Sequence, residues 1–122
     1  MNKTSITDQL QIFVTRYREE HSTDTRWRTP LVGFASVDDS LFLELKRIVS
    51  PTHALPNDLL PTAQTVIVFF LPFHQSIARS NITGQLASRE WAKAYVETNA
   101  LIKAMGLHMK QHLKSGGFAV AG

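Results

Sequence analysis

Thr65-Val-Ile-Val-Phe-Phe-Leu71 is an unbroken apolar run with a proline on either side, Pro61 before it and Pro72 directly after it. A half-exposed strand alternates apolar and polar residues. A continuous run of this length predicts instead a central strand buried on both faces, which needs cover above and below. Proline cannot donate to a ladder, so Pro72 is expected to end the strand. The rest of the chain is therefore read for what supplies neighbours and cover.

A second, shorter strand is expected at Leu31-Val-Gly-Phe-Ala35, opened by Thr29-Pro30. Before it, Ile6, Leu10, Phe13 and Tyr17 recur at helical spacing, and Ser5 with Asp8 has the form of a capping box. Residues His21 to Arg28 read as a polar loop. Asp38 or Asp39 is the natural cap of a short helix with Leu41, Leu45, Ile48 and Val49 on its apolar face, stopped at Ser50-Pro51. A connection punctuated by Pro51, Pro56 and Pro61 follows. After the apolar run, His74 to Gly84 reads as a loop. The longest helix carries Trp91, Tyr95, Ile102, Met105, Met109 and Leu113 and is capped by Gly116-Gly117. Phe118-Ala-Val-Ala121 reads as the opening of a third strand.

Strand, helix, strand, helix, strand is the grammar of an α/β fold, with α+β as the alternative. Crossover rules favour neighbouring, right-handed connections between such strands. The expectation is a partial sheet of about three strands with long helices packed on it. Residues 1–122 then form one domain, the incomplete N-terminal part of a larger one.

Composition excludes several chemistries. The chain has no cysteine, so it cannot itself supply disulfides, thiolate zinc ligands, a cysteine nucleophile or cysteine ligands for an iron–sulfur cluster. The first residues lack the apolar core of a signal peptide, and the Val66–Leu71 run is too short to cross a bilayer. A cytoplasmic protein without membrane contact is expected. Asn81-Ile82-Thr83 matches a glycosylation sequon by chance on that reading. The net charge of +3 permits an acidic partner without demanding one.

Several residues are candidates for chemistry. Loops at the carboxyl ends of strands in open α/β sheets hold ligands, which singles out Pro72, Phe73 and above all His74. Glu97, Thr98 and Asn99 interrupt the apolar stripe of the longest helix with polar groups, and Tyr95 and Asn99 lie one turn apart; these residues line a pocket or hydrogen-bond across to a neighbouring element. His108 and His112 stand at metal-gripping spacing, but Met109 occupies the place where a metalloprotease has glutamate and no third ligand is evident; a solvated helix end is the reading, and no metal site is expected. Arg16, Arg18, Arg26 and Arg28 bracket Tyr17 and Trp27. That grouping suits phosphates and bases, but Glu19, Glu20 and Asp24 interrupt it, so a solvated surface with Trp27 on the core is expected. Gly33 reads as a structural requirement of its strand, since no Gly-x-Gly-x-x-Gly fingerprint or P-loop accompanies it.

Three stretches taken in succession resemble a known family: Thr29-Pro-Leu-Val-Gly-Phe-Ala-Ser36, Leu55-Pro-Asn-Asp-Leu-Leu-Pro-Thr-Ala-Gln-Thr-Val-Ile-Val-Phe-Phe-Leu-Pro-Phe73 and Trp91-Ala-Lys-Ala-Tyr-Val-Glu-Thr-Asn-Ala-Leu-Ile102. They are similar to the N-terminal region of epoxyqueuosine-reductase-like iron–sulfur proteins. The resemblance implies a redox protein, an oxidoreductase family using cobalamin and 4Fe–4S clusters on a tRNA wobble nucleoside. It implies cluster cysteines in a C-terminal half, and a corrinoid near the loop Pro72 to Gln75. The tRNA-modifying members carry Asp-Tyr-His near the start of the long helix. This chain departs from that with Ala94-Tyr-Val-Glu-Thr-Asn99, so no catalytic residue is carried over and a different substrate is open. The implied role is scaffold and cofactor-pocket wall, inactive alone, whose partners are the C-terminal half or further copies of itself. Two alternatives stand beside it: a small non-enzymatic module binding a ligand or partner, and an RNA-binding accessory fragment using Arg16 to Arg28 on tRNA.

Overall fold

A computed structural model describes residues 2–80 and 88–122. The sequon Asn81-Ile82-Thr83 and the end of the loop at Gly84 lie outside them. The elements are α1 (Lys3–His21), β1 (Leu31–Ser36), α2 (Leu41–Ile48), α3 (Pro56–Leu59), β2 (Thr65–Phe70), α4 (Gln75–Arg79) and α5 (Arg89–Ser115). The class is mixed α/β with a small sheet. None of the described helices is long and apolar enough to cross a membrane.

The sheet corrects the expected architecture in three ways. It has two strands, β1 beside β2, and they run antiparallel. Residues Phe118–Ala121 form no strand. The β2 strand is not buried on both faces: Val68 and Phe70 are exposed, Phe70 to 62%. An antiparallel pair needs no helical crossover to cover each face, and with a single neighbouring strand β2 keeps an open edge. The composition of the run reported its affinity for strand, not the number of its neighbours.

The chain divides into two compact units. The first comprises Met1–Val32 and Phe69–Leu107. It holds nearly all of the buried apolar side chains: Ile6, Leu10 and Val14 of α1, Val32, Leu71, Ile77, and Ala94, Leu101 and Met105 of α5. In α1 the buried face is Ile6, Leu10 and Val14, with Phe13 and Tyr17 half-buried beside it. The helix starts before the expected capping box. The Asn2 side chain accepts from the Ser5 N–H at 2.9 Å, so Ser5 sits inside the first turn. Asparagine caps as well as serine does, and the earlier start gives Ile6 a helical place in the core. The segment read as loop from His74 contains α4, capped by the His74 side chain.

The second unit comprises Gly33–Val68 and His108–Gly122. The N-cap of α2 is Ser40 rather than the expected Asp38 or Asp39; Asp39 Oδ1 accepts from the Leu41 N–H at 2.9 Å just ahead of the helix. No residue of α2 is buried, however, and its apolar residues Leu41, Leu43, Ile48 and the following Val49 are exposed. The proline-rich connection is held by side chains acting on its own backbone. Asp58 Oδ2 accepts from the Leu55 N–H at 2.7 Å, and the Asn57 amide donates to the carbonyls of Leu60, Pro61 and Ala63. The glycine cap of α5 is as expected. Gly117 has φ +91°, its N–H donates to the Lys114 carbonyl at 3.0 Å, and the Phe118 N–H reaches back to Leu113 at 3.2 Å. This paired closure takes up the last carbonyls of the helix. Of the described residues in this unit, only Met109 belongs to the buried apolar set.

Candidate functional site

The site lies in the first unit, where the segment Asp24–Arg28 meets α4 and the start of α5. The segment alternates. Thr25 is buried and Trp27 half-buried, while Arg26 and Arg28 are exposed. Backbone pairing fixes it to the residues after β2: the Arg28 N–H donates to the Pro72 carbonyl at 2.8 Å, the His74 N–H donates to Arg26 at 3.0 Å, and Trp27 faces Phe73 across an antiparallel bridge. Pro72 is tolerated there because the ladder asks it only for an acceptor.

Side chains of α5 clamp the same segment. Glu97 accepts from the Thr25 N–H at 3.0 Å, from the Thr25 hydroxyl at 2.5 Å and from the Asp24 N–H at 3.3 Å. Trp27 Nε1 donates to the Thr98 hydroxyl at 2.9 Å. Phe73 packs edge-on against Trp91, ring centres 5.4 Å apart. Buried Thr25 and Thr98 thereby have partners, as buried polar groups require. Lys93 pairs with Asp24; that contact lowers the Asp24 carboxyl from its ordinary value and raises the Lys93 ammonium, both groups being exposed.

These contacts leave an open groove of about 680 Å³, with Arg26, His74, Ser76, Ser80, Arg89 and Lys93 on its walls. His74 Nδ1 accepts from the Ser76 N–H at 3.2 Å, so the neutral ring carries its proton on Nε2. The start of α5 is anchored by a hydroxyl chain. Ser80 donates to the Ile77 carbonyl at 2.5 Å, Ser80 and Ser88 hydroxyls lie 2.6 Å apart, and Ser88 accepts from the Trp91 N–H at 3.0 Å.

Of the residues singled out in the sequence, His74 and Arg26 line this groove. Pro72 and Phe73 are half-buried in the ladder behind it. Tyr95 and Asn99 are exposed on α5, Tyr95 to 63%, on a different face from its buried residues Ala94, Thr98 and Leu101. Of the polar residues expected in α5 to bond across to a neighbouring element, Glu97 and Thr98 do so, to Thr25 and Trp27. Arg16 and Arg18 are exposed on α1, and Tyr17 stacks on His21 at 3.9 Å, so both aromatics of the basic stretch are engaged within the molecule. His108 and His112 rings lie 6.4 Å apart. Among the described residues no three His, Cys, Asp or Glu side chains gather as a metal site would require. At Gly33 an added Cβ meets nothing within 4 Å, so crowding does not dictate glycine there.

The sequence did not single out Arg89, Lys93 and Ser76 as groove walls. The partner of Lys93, Asp24, lies 69 residues away along the chain, and no local pattern announces such a pair. No protein-family model, no curated protein and no solved structure matches this chain.

Proposed function

We propose that the chain is the N-terminal portion of an epoxyqueuosine-reductase-like iron–sulfur redox protein, supplying scaffold and part of a cofactor-pocket wall, with no complete active site of its own. The observation that carries this reading is the second unit's imbalance between apolar surface and core. It exposes Phe34, Leu41, Leu43, Ile48, Val49 and Val68, yet contributes Met109 alone to the buried apolar set of the described residues. Exposed apolar surface with so little core behind it suggests residues that pack on something else. The succession of motifs from Thr29 to Ile102 supports the family.

The donor set does not fit an iron–sulfur cluster, because a chain without cysteine offers it no thiolate. Cluster ligands would belong to the C-terminal half. For a corrinoid the chain offers a wall: His74 reaches the groove, and Pro72 and Phe73 back it. The test is a longer protein in which this chain continues into a cysteine-bearing half. Hydrogen exchange should show α2 and β2 strongly protected relative to the isolated chain, and cobalamin should bind with a shifted absorption spectrum. Unchanged exchange in α2 together with no cobalamin uptake would remove the reading.

A further inference from the structure

We propose that the groove between Asp24–Arg28, α4 and the start of α5 binds the phosphate monoester of a small molecule, held by Arg26 and Arg89. This does not rest on the family reading. The groove lies wholly in the first unit and needs no other chain.

Charge is the first argument. Three cations line the groove, Arg26, Arg89 and Lys93, against two carboxylates, Asp24 and Glu90, an excess of one positive charge. Lys93 and Asp24 satisfy each other. Neither guanidinium forms an ion pair among the described residues. Arg89 also stands near enough to Lys93 to oppose its charge. A dianion between Arg26 and Arg89 relieves that repulsion and meets two planar forks suited to phosphate oxygens.

Pre-organisation is the second. Arg26 does not hang from a free loop: its carbonyl accepts from the His74 N–H, and its neighbour Thr25 is clamped by Glu97. The start of α5 that carries Arg89 is tied down through Ser88 and Ser80. The His74 ring is oriented by Ser76, with Nε2–H left as a further donor. Walls held before the ligand arrives lower the cost of binding.

Size and sign select the ligand class. A groove of about 680 Å³ is in the range of small-molecule sites. A nucleic-acid strand needs a positive track several phosphates long. Here Asp24 and Glu90 break the charge within the groove itself.

The experiment follows amide shifts of the 122-residue chain on addition of O-phosphoserine, with serine and sulfate as controls and a short single-stranded RNA as a separate arm. Expected are saturable shifts at Thr25, His74, Ser76 and Lys93 with O-phosphoserine. Affinity should fall by about tenfold in Arg26→Ala and in Arg89→Ala, the loss typical of one charge-assisted contact. Arg16→Ala, on α1, should leave it unchanged. His74→Asn keeps a residue able to cap α4 while removing the Nε2 donor, and should weaken binding with helix content intact. The absence of saturable shifts, equal shifts with serine, or the same loss in Arg16→Ala overturns the proposal. So does RNA binding that is tighter than O-phosphoserine binding and insensitive to Arg89→Ala, which would assign the basic surface to nucleic acid.

Discussion

Replacing Glu97 by alanine tests whether a single carboxylate holds the Asp24–Arg28 segment to α5. Two of its bonds go to Thr25, at 3.0 and 2.5 Å, and Thr25 is 4% exposed. Hydrogen bonds to charged groups contribute about 1.5–3 kcal/mol each, and a buried donor left without its partner costs a comparable amount. The third bond, to the exposed Asp24 N–H at 3.3 Å, adds little. Glu97 is itself half-buried, so the lower end of the range applies, and Glu97→Ala should destabilise the chain by about 3 kcal/mol. Glu97→Gln keeps one acceptor oxygen in place and should cost about 1 kcal/mol. Urea unfolding of both variants measures this, with the alanine midpoint falling by about 1–2 M for slopes usual in small domains. A double-mutant cycle with Thr25→Ala should return a coupling of about 1–2 kcal/mol. If both Glu97 variants lie within about 0.5 kcal/mol of wild type, the size of an ordinary surface change, the clamp is not structural.

Thr98→Val removes the acceptor of Trp27 Nε1; it should cost about 1–2 kcal/mol and shift the Trp27 fluorescence maximum, whereas Thr98→Ser should do neither. Asp24 has its carboxyl lowered by Lys93, so the pair's contribution is present above the ordinary carboxylate range and is lost as pH falls through the lowered folded value. Lys93 is raised by Asp24, so its share is present below the ordinary lysine value and is lost as pH rises through the raised one; carboxyl NMR titration should place Asp24 below the usual aspartate midpoint of about 3.9, and Lys93→Ala should restore it. Zinc titrated against wild type and His112→Ala should show no tight one-to-one site that the variant loses, since two histidines leave a tetrahedral shell half filled.

The sequence signals that translated well are those whose cause is local. The Gly116-Gly117 stop depends on a backbone conformation that glycine adopts freely, and Gly117 adopts it. Proline and apolar patterning placed β1 and β2 within a residue of their observed bounds. The reading failed where the cause is distant. Of the stripe expected on α5, Met105 and Met109 are buried and Trp91 and Leu113 half-buried, but Tyr95 and Ile102 are exposed, and the helix turns Ala94, Thr98 and Leu101 inward. A hydrophobicity pattern favours large residues, whereas the packed face here takes a small alanine and a threonine that Trp27 needs. The count of strands failed for a similar reason: Phe118–Ala121 has strand composition but forms no strand, and composition does not encode whether a segment reaches an open edge. For the groove, position after β2 points to His74 and the basic stretch to Arg26, while Arg89 and Lys93 are brought to it by contacts that no spacing encodes.

The exposed face of α2 leads to a prediction about association. Leu41 is 71% and Ile48 67% exposed, with Leu43 and Val49 also open. Burying a Leu, Ile or Val side chain fully contributes about 1.5–3 kcal/mol, so four that are about two-thirds exposed offer about 4–8 kcal/mol gross. Pairing two copies doubles that area but costs roughly 4–15 kcal/mol in lost freedom of motion. With the cost in the lower half of that range the gain exceeds it by about 4 kcal/mol, and the isolated chain should associate weakly, with a dissociation constant near a millimolar. Leu41→Glu with Ile48→Lys should abolish the association. These charges suit the helix dipole, acid at its first turn and base at its last, so the double variant should unfold at an unchanged or higher temperature. Sedimentation across a hundredfold range of concentration, with thermal unfolding at each end, decides the matter. A wild-type chain that stays monomeric throughout and unfolds cooperatively at one high temperature would mean that the α2 face needs no cover, and the scaffold reading would lose the observation that carries it.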